Sequence, residues 1–161
     1  MKVVISDTSP VRALANLGLL RLLGEIYEEV IIPSAVESEL ADPPAGHIAV
    51  KVADLPFVRV HPVLDDSRFR SFLVDLDPGE SEAMALALEL RADLILIDET
   101  AGRARAKQVG LDTIGVLGIL LEAKHRGLLE TLAPLLDQLQ TEHRFFIGSR
   151  LRNDVLRRAG E

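Results

Sequence analysis

Apolar and polar positions along the chain alternate between two periods, short β-branched runs and longer stretches that repeat every three to four residues. Lys2 to Ser6 and Val30-Ile31-Ile32 read as strands, and Leu94 to Ile97 is apolar at every position, as expected of a strand buried on both faces. Phe57 to Val60 and Asp112 to Ile114 are shorter extended segments. Val11, Leu14, Leu17 and Leu20 to Leu23 keep a helical period, which predicts one helix from Pro10 to about Gly24 with Thr8 or Ser9 as its cap. Further helices are predicted from Pro33-Ser34 to before Asp42, over His47 to Asp54, after Asp65-Asp66-Ser67, and from Pro78 to about Leu90. The rest of the chain predicts helices over Ala101 to Val109, Gly115 to His125, Leu128 to Leu139 and Ser149 to Ala159.

Strands alternating with helices predict a three-layer α/β/α architecture, Rossmann-like, with a mostly parallel central sheet, because each parallel crossover needs a covering element. No repeat or linker divides the sequence, so residues 1–161 are expected to form a single domain. At 48% hydrophobic and 27% charged residues the chain has the material for a core, and it is aliphatic, with aromatics at only 4%.

Composition then narrows the chemistry. With no cysteine there is no disulfide, thiolate metal site or thiol nucleophile, which suits a cytoplasmic location. The four histidines (His47, His61, His125, His143) lack the short spacings that seat two imidazoles on one metal. No apolar run is long enough to span a membrane. A net charge of -7 argues against gripping nucleic acid by bulk electrostatics, so contact with RNA would need a local basic patch, a bound metal or a partner.

Oxygen ligands remain, and the acids are placed suggestively. Asp7 and Asp98 each follow a strand, and in an open parallel sheet functional groups gather beyond the carboxyl ends of the strands. Glu80 lies in the first turn of its helix, on the face of Met84, Ala87 and Leu88, whereas Glu82 lies on the other side with Leu86 and Glu89. Glu37 and Glu39 flank the Val36/Leu40 stripe about equally, and periodicity does not choose between them. Several carboxylates in one place repel one another unless a divalent cation neutralises them, and Mg²⁺ and Mn²⁺ favour all-oxygen sites. Taken one at a time, Asp7 and Glu80 also fit plain helix caps and Glu39, Glu82 and Glu99 solvated surface; only the combination points to a site. Arg103 and Arg105 on the next helix are candidates for meeting phosphate, and Arg150, Arg152, Arg157 and Arg158 fit RNA, a partner or a solvated face equally.

Four segments, Ile5-Ser6-Asp7-Thr8-Ser9-Pro10, Ile32 to Leu40, Gly79-Glu80-Ser81-Glu82-Ala83 and Leu96-Ile97-Asp98-Glu99, together resemble the PIN domain family, in its VapC-like toxin branch. The resemblance implies a ribonuclease dependent on Mg²⁺ or Mn²⁺, a homodimer, and a small antitoxin covering the site in a toxin–antitoxin pair. By position, Asp7, Glu39, Glu80 and Asp98 match the family's four acids, and Thr8 or Ser9 matches the hydroxyl that accompanies the first. Glu82 and Glu99 are alternatives for metal duty, and Thr8, Ser9 and Arg103 for substrate contact. Competing readings are an RNA-processing nuclease outside any toxin pair, a PIN fold kept for protein interaction, and a metal- or phosphate-binding regulatory module of the receiver type.

Overall fold

The computed structural model describes residues 2–161. Five strands form one sheet: β1 (Val4–Ser6), β2 (Val30–Ile32), β3 (Val58–Val60), β4 (Leu94–Leu96) and β5 (Thr113–Ile114), in the order β3-β2-β1-β4-β5. All four pairings are parallel, with Ile5 opposite Ile31 and Ile95, and Ser6 opposite Leu96. Among the described residues nine helices cover it: α1 (Thr8–Asn16), α2 (Arg21–Tyr27), α3 (Ser34–Ala41), α4 (Asp66–Phe72), α5 (Pro78–Glu89), α6 (Thr100–Gln108), α7 (Val116–His125), α8 (Ala133–Thr141) and α9 (Ser149–Arg158).

Side chains alternate across the strands, and the core is accordingly split in two. Val4, Val30, Ile32 and Leu96 pack with α1, α2, α7, α8 and α9 on one face. Ile5, Ile31, Ile95 and Ile97 pack with α4, α5 and α6 on the other. This is the Rossmann-like three-layer α/β/α arrangement that the alternation of elements predicts, with every strand parallel.

Three predicted helices differ from those observed. The stretch from Pro10 to Gly24 is two helices: α1 begins at Thr8 with Asp7, not Thr8 or Ser9, in the cap position. It ends because Gly18 turns left-handed (φ 70), with Gly18 N–H donating to Ala15 O (3.0 Å) and Leu19 N–H to Leu14 O (2.8 Å). That is a Schellman closure, in which glycine takes the left-handed position without a Cβ penalty. Over His47 to Asp54 only a 3₁₀ turn forms, Val52–Asp54. The preceding backbone is drawn into tertiary hydrogen bonds instead, Ile48 N–H to Asn16 Oδ1 (3.2 Å) and Val50 N–H to Leu40 O (2.8 Å). The helix expected from Leu128 starts at Ala133, which puts Pro134 in its first turn, where a missing N–H costs nothing. Glu161 fixes that start by accepting from Leu132 N–H (2.7 Å) and Ala133 N–H (3.2 Å).

The sheet order sets the place where a site can form. Chain progression runs from β1 outward to β2 and β3, then returns to β4 on the opposite side of β1. The crevice at the carboxyl ends of β1 and β4 is therefore the topological switch point, the usual ligand position in open parallel sheets.

Candidate active site

Asp7 and Asp98 both arrive at that crevice. Asp7 follows β1 directly, its N–H donating to Leu96 O (2.9 Å), and Asp98 stands two residues beyond β4, after Ile97 N–H donates to Ile114 O (2.9 Å). The two acids lie at the same edge of adjacent parallel strands. Although Asp7 occupies the cap position of α1, its side chain makes no capping bond.

Glu80 enters from α5. Asp77 caps that helix, its Oδ1 accepting from Glu80 N–H (2.8 Å), so the capping role belongs to Asp77 and the Glu80 side chain turns inward, buried. Nearly all of α5 is buried because it is packed between α3, α4 and the sheet. Glu39 enters from α3, half-buried, and accepts a hydrogen bond from the Thr8 hydroxyl, while Glu37 points to solvent. Glycine makes room for these carboxylates. A Cβ on Gly79 would stand 2.6 Å from Glu39 Oε1, and one on Gly115 would stand 2.5 Å from Asp98 Oδ1.

The alternatives lie further out. Glu82 Oε1 accepts from Ala35 N–H (3.3 Å) at the start of α3, tying two helices together. Glu99 is exposed at the cap position of α6, near enough for its charge to act on both Glu80 and Asp98. Arg103, also exposed, lies beside Asp98, and Ser9 lines a small pocket next to it. Of the terminal arginines, Arg152 pairs with Asp137 (2.9 Å), and Arg157 and Arg158 both pair with Asp154 (2.5 and 3.2 Å).

Burial sets the electrostatics. Asp7 is pushed up to about 8, first by desolvation, with the Thr8 backbone N–H pulling back and the charges of Glu80, Asp77 and Glu39 pushing further. Glu80 rises to about 7, through burial and then the charge of Asp77, with Glu99 and Glu39 adding to it. Asp98 rises to about 6 by burial, moderated by the Val116 N–H, which donates to its Oδ1 (2.9 Å), and by Arg103. Its other oxygen, Oδ2, is buried without a partner. An unpaired buried carboxylate oxygen among other acids is costly unless positive charge neutralises it.

A PIN domain family model matches residues 3–161. The chain belongs to the PIN domain family. PIN domains are generally nucleases, and they typically use divalent metals. A search of curated proteins finds no match to this one. The donors of this PIN domain fit such an ion: all are carboxylate oxygens, their negative charge is crowded, and Asp98 Oδ2 lacks any other partner. Among the described residues no three His, Asp or Glu side chains stand close enough to grip one ion as they are. A groove of about 960 Å³ opens at Asp98 and runs past Arg103, Lys107 and Phe146 toward Arg158.

Sequence reasoning missed Asp77 at this site, although an Asp immediately before a proline at the first helical position is a readable cap signal. Arg12, His47 and His143, which line the small pocket beside Asp98, were also missed. They come from separate parts of the chain, and no periodicity links them.

Proposed function

We propose that this PIN domain is a metal-dependent endoribonuclease, the whole chain acting as one nuclease domain, in which Asp7, Glu39, Glu80 and Asp98 hold Mg²⁺ or Mn²⁺ against an RNA phosphodiester. The observation that carries the reading is that Asp7, Glu39 and Glu80, from three separate elements, lie close enough for their charges to act on one another, with Asp98 at the same edge of the sheet and Asp7, Glu80 and Asp98 each held above the ordinary carboxylate range. A bound divalent cation offsets that cost, and supplies an activated water and charge stabilisation at the phosphate. The protein's own part is positioning. The Thr8 hydroxyl aims Glu39, Val116 N–H fixes one oxygen of Asp98 while leaving the other open, and Asp77 holds the first turn of α5 so that Glu80 faces inward. Arg103 and Lys107 in the groove supply local positive charge to a polyanion that the net charge of -7 would otherwise repel.

Purified protein is expected to cut mixed RNA with Mn²⁺ or Mg²⁺ and to stop when a chelator is added. Cleavage that survives the chelator would overturn the reading. Gly79→Ala gives a finer check. The added methyl collides with the end of the flexible Glu39 side chain, not with backbone, so the melting temperature is expected to hold or rise slightly. Cleavage is expected to fall by roughly tenfold as Glu39 is displaced.

Within this reading the protein works in the cytoplasm as a homodimer and as the toxin of a toxin–antitoxin pair, restrained by a small antitoxin. Support comes from the VapC-like segments around Asp7, Glu39, Glu80 and Asp98. Co-purification with the product of a short adjacent reading frame is the expected result; if the protein purifies with no such partner and is not restrained by that product, the RNA-processing alternative stands. Among the described residues no helix is long and apolar enough to cross a membrane.

A further inference from the structure

Asp98 also lines a second pocket of about 200 Å³, together with Ser9, Arg12, Asn16, His47 and His143. Five buried side-chain nitrogen or oxygen atoms lack a hydrogen-bond partner among the described residues; one, Asp98 Oδ2, is the oxygen assigned above to the metal, and three of the other four, Arg12 Nε and both ring nitrogens of His143, belong to residues lining this one pocket. Buried polar groups are normally paired, so a cluster of unpaired ones marks a place built for a polar occupant.

The donors identify its chemistry. Arg12 is anchored by Nη2, which donates to Glu39 O (2.9 Å), leaving Nε unspent. Asn16 Oδ1 accepts from Ile48 N–H (3.2 Å), which turns its amide nitrogen toward His47 Nδ1 (2.9 Å). An amide NH₂ only donates, so His47 Nδ1 accepts and the ring carries its proton on Nε2. His143 and Ser9 add further donors. A metal ion is a poor match, because the Arg12 guanidinium that lines the pocket repels it. The volume equals about seven waters at about 30 Å³ each, enough for a phosphate and part of its sugar.

We propose that this pocket binds a backbone phosphate of the nucleic acid, the neighbour of the phosphate that is cut. The inference rests on the nuclease reading for what brings a polyanion there; Asp98 and Glu99 also line the pocket, which puts its occupant beside the candidate site, and Arg12 is the cation that offsets these carboxylates. Arg12 and the two imidazoles then fix the register of the strand, as charge-assisted contacts to phosphate do.

The test uses wild-type protein in chelator at low ionic strength, so that binding is read without cleavage. A short oligoribonucleotide is expected to shift the ring resonances of His47 and His143 in NMR spectra, and the same oligomer with uncharged methylphosphonate linkages is not. His143→Gln should weaken binding of the phosphodiester oligomer about tenfold, as for loss of one hydrogen bond to a charged group, and leave binding of the uncharged one unchanged. His125→Gln, whose ring instead meets Arg158 O (3.0 Å), should change neither. Rings that stay unmoved at saturating phosphodiester oligomer, or that respond equally to the uncharged one, would overturn the proposal even if metal-dependent cleavage stands. Should His143→Gln fail to fold, the wild-type ring shifts decide alone.

Discussion

Asp98→Asn is expected to lower metal-dependent RNA cleavage by about a thousandfold, a loss typical of removing a central catalytic group, while the protein folds normally. Asparagine matches aspartate in shape and keeps a carbonyl oxygen where Oδ1 accepts from Val116 N–H at 2.9 Å. What it removes is the second anionic oxygen, Oδ2, which is buried with no protein partner. Replacing that oxygen with an NH₂ group turns an acceptor facing the site into a donor, which no cation will accept as a ligand. The check is initial cleavage rate with Mn²⁺ alongside the far-ultraviolet circular dichroism of both proteins. Retained cleavage by a folded Asp98→Asn protein would remove Asp98 from the reaction.

Asp7→Asn should abolish cleavage too, yet make the metal-free protein more stable. In the folded chain Asp7, Glu80 and Asp98 hold their protons up to about 8, 7 and 6, whereas in the unfolded chain they release them near the ordinary values of 3.8, 4.5 and 3.8. Between those limits the folded state binds more protons than the unfolded one. Linkage then makes stability fall as pH rises through the interval, levelling off above about 8. Metal-free wild-type protein is therefore expected to melt at a higher temperature at pH 5 than at pH 8. Asp7→Asn removes the largest of the three penalties. It should raise the melting temperature at pH 8 by about 5 °C or more, since 1 kcal/mol is worth roughly 2–4 °C in a chain of this size, and converge with wild type at low pH. A variant less stable than wild type at pH 8 would mean that the burial of Asp7 carries no such cost.

Stability and activity pulling in opposite directions is what a site assembled from buried like charges should show. The chain tolerates the acids because everything around them is firmly built: β1 and β4 are central, paired on both sides, and nearly every residue from Gly79 to Ala87 is buried. The strain is concentrated at the switch point.

The sheet was legible in the sequence because fully apolar runs such as Leu94 to Leu96 have no other use in a chain with covering helices. Helical phase puts Glu80 and Glu82 on different faces of α5 but leaves the choice between them open, because that helix is buried on most sides; in the structure Glu80 is buried while Glu82 accepts from Ala35 N–H. Nor could Glu39 be told from Glu37 by phase, since α3 buries only Val36 and Leu40 and both glutamates flank that stripe. What separates them is the Thr8 hydroxyl arriving from α1, a tertiary contact across 31 residues. The three misread helices failed for related reasons. Gly18 was hidden inside a good apolar period, the N–H groups of Ile48 and Val50 donate to Asn16 and Leu40 instead of to a helix, and the carboxylate that starts α8 comes from Glu161. The pocket around Arg12, His47 and His143 was invisible from sequence because its residues share neither spacing nor motif.

Isothermal titration calorimetry of Mn²⁺ into metal-free protein, run at pH 7 in two buffers of different ionisation enthalpy, tests the central claim that these acids jointly hold a divalent cation. Wild type is expected to take up the ion and release protons as it does so, because carboxyl groups held up to about 8 and about 7 must ionise to become ligands. Asp98→Asn is expected to bind at least about tenfold more weakly. No uptake by wild type, or equal uptake by both proteins with no proton release, would contradict the account.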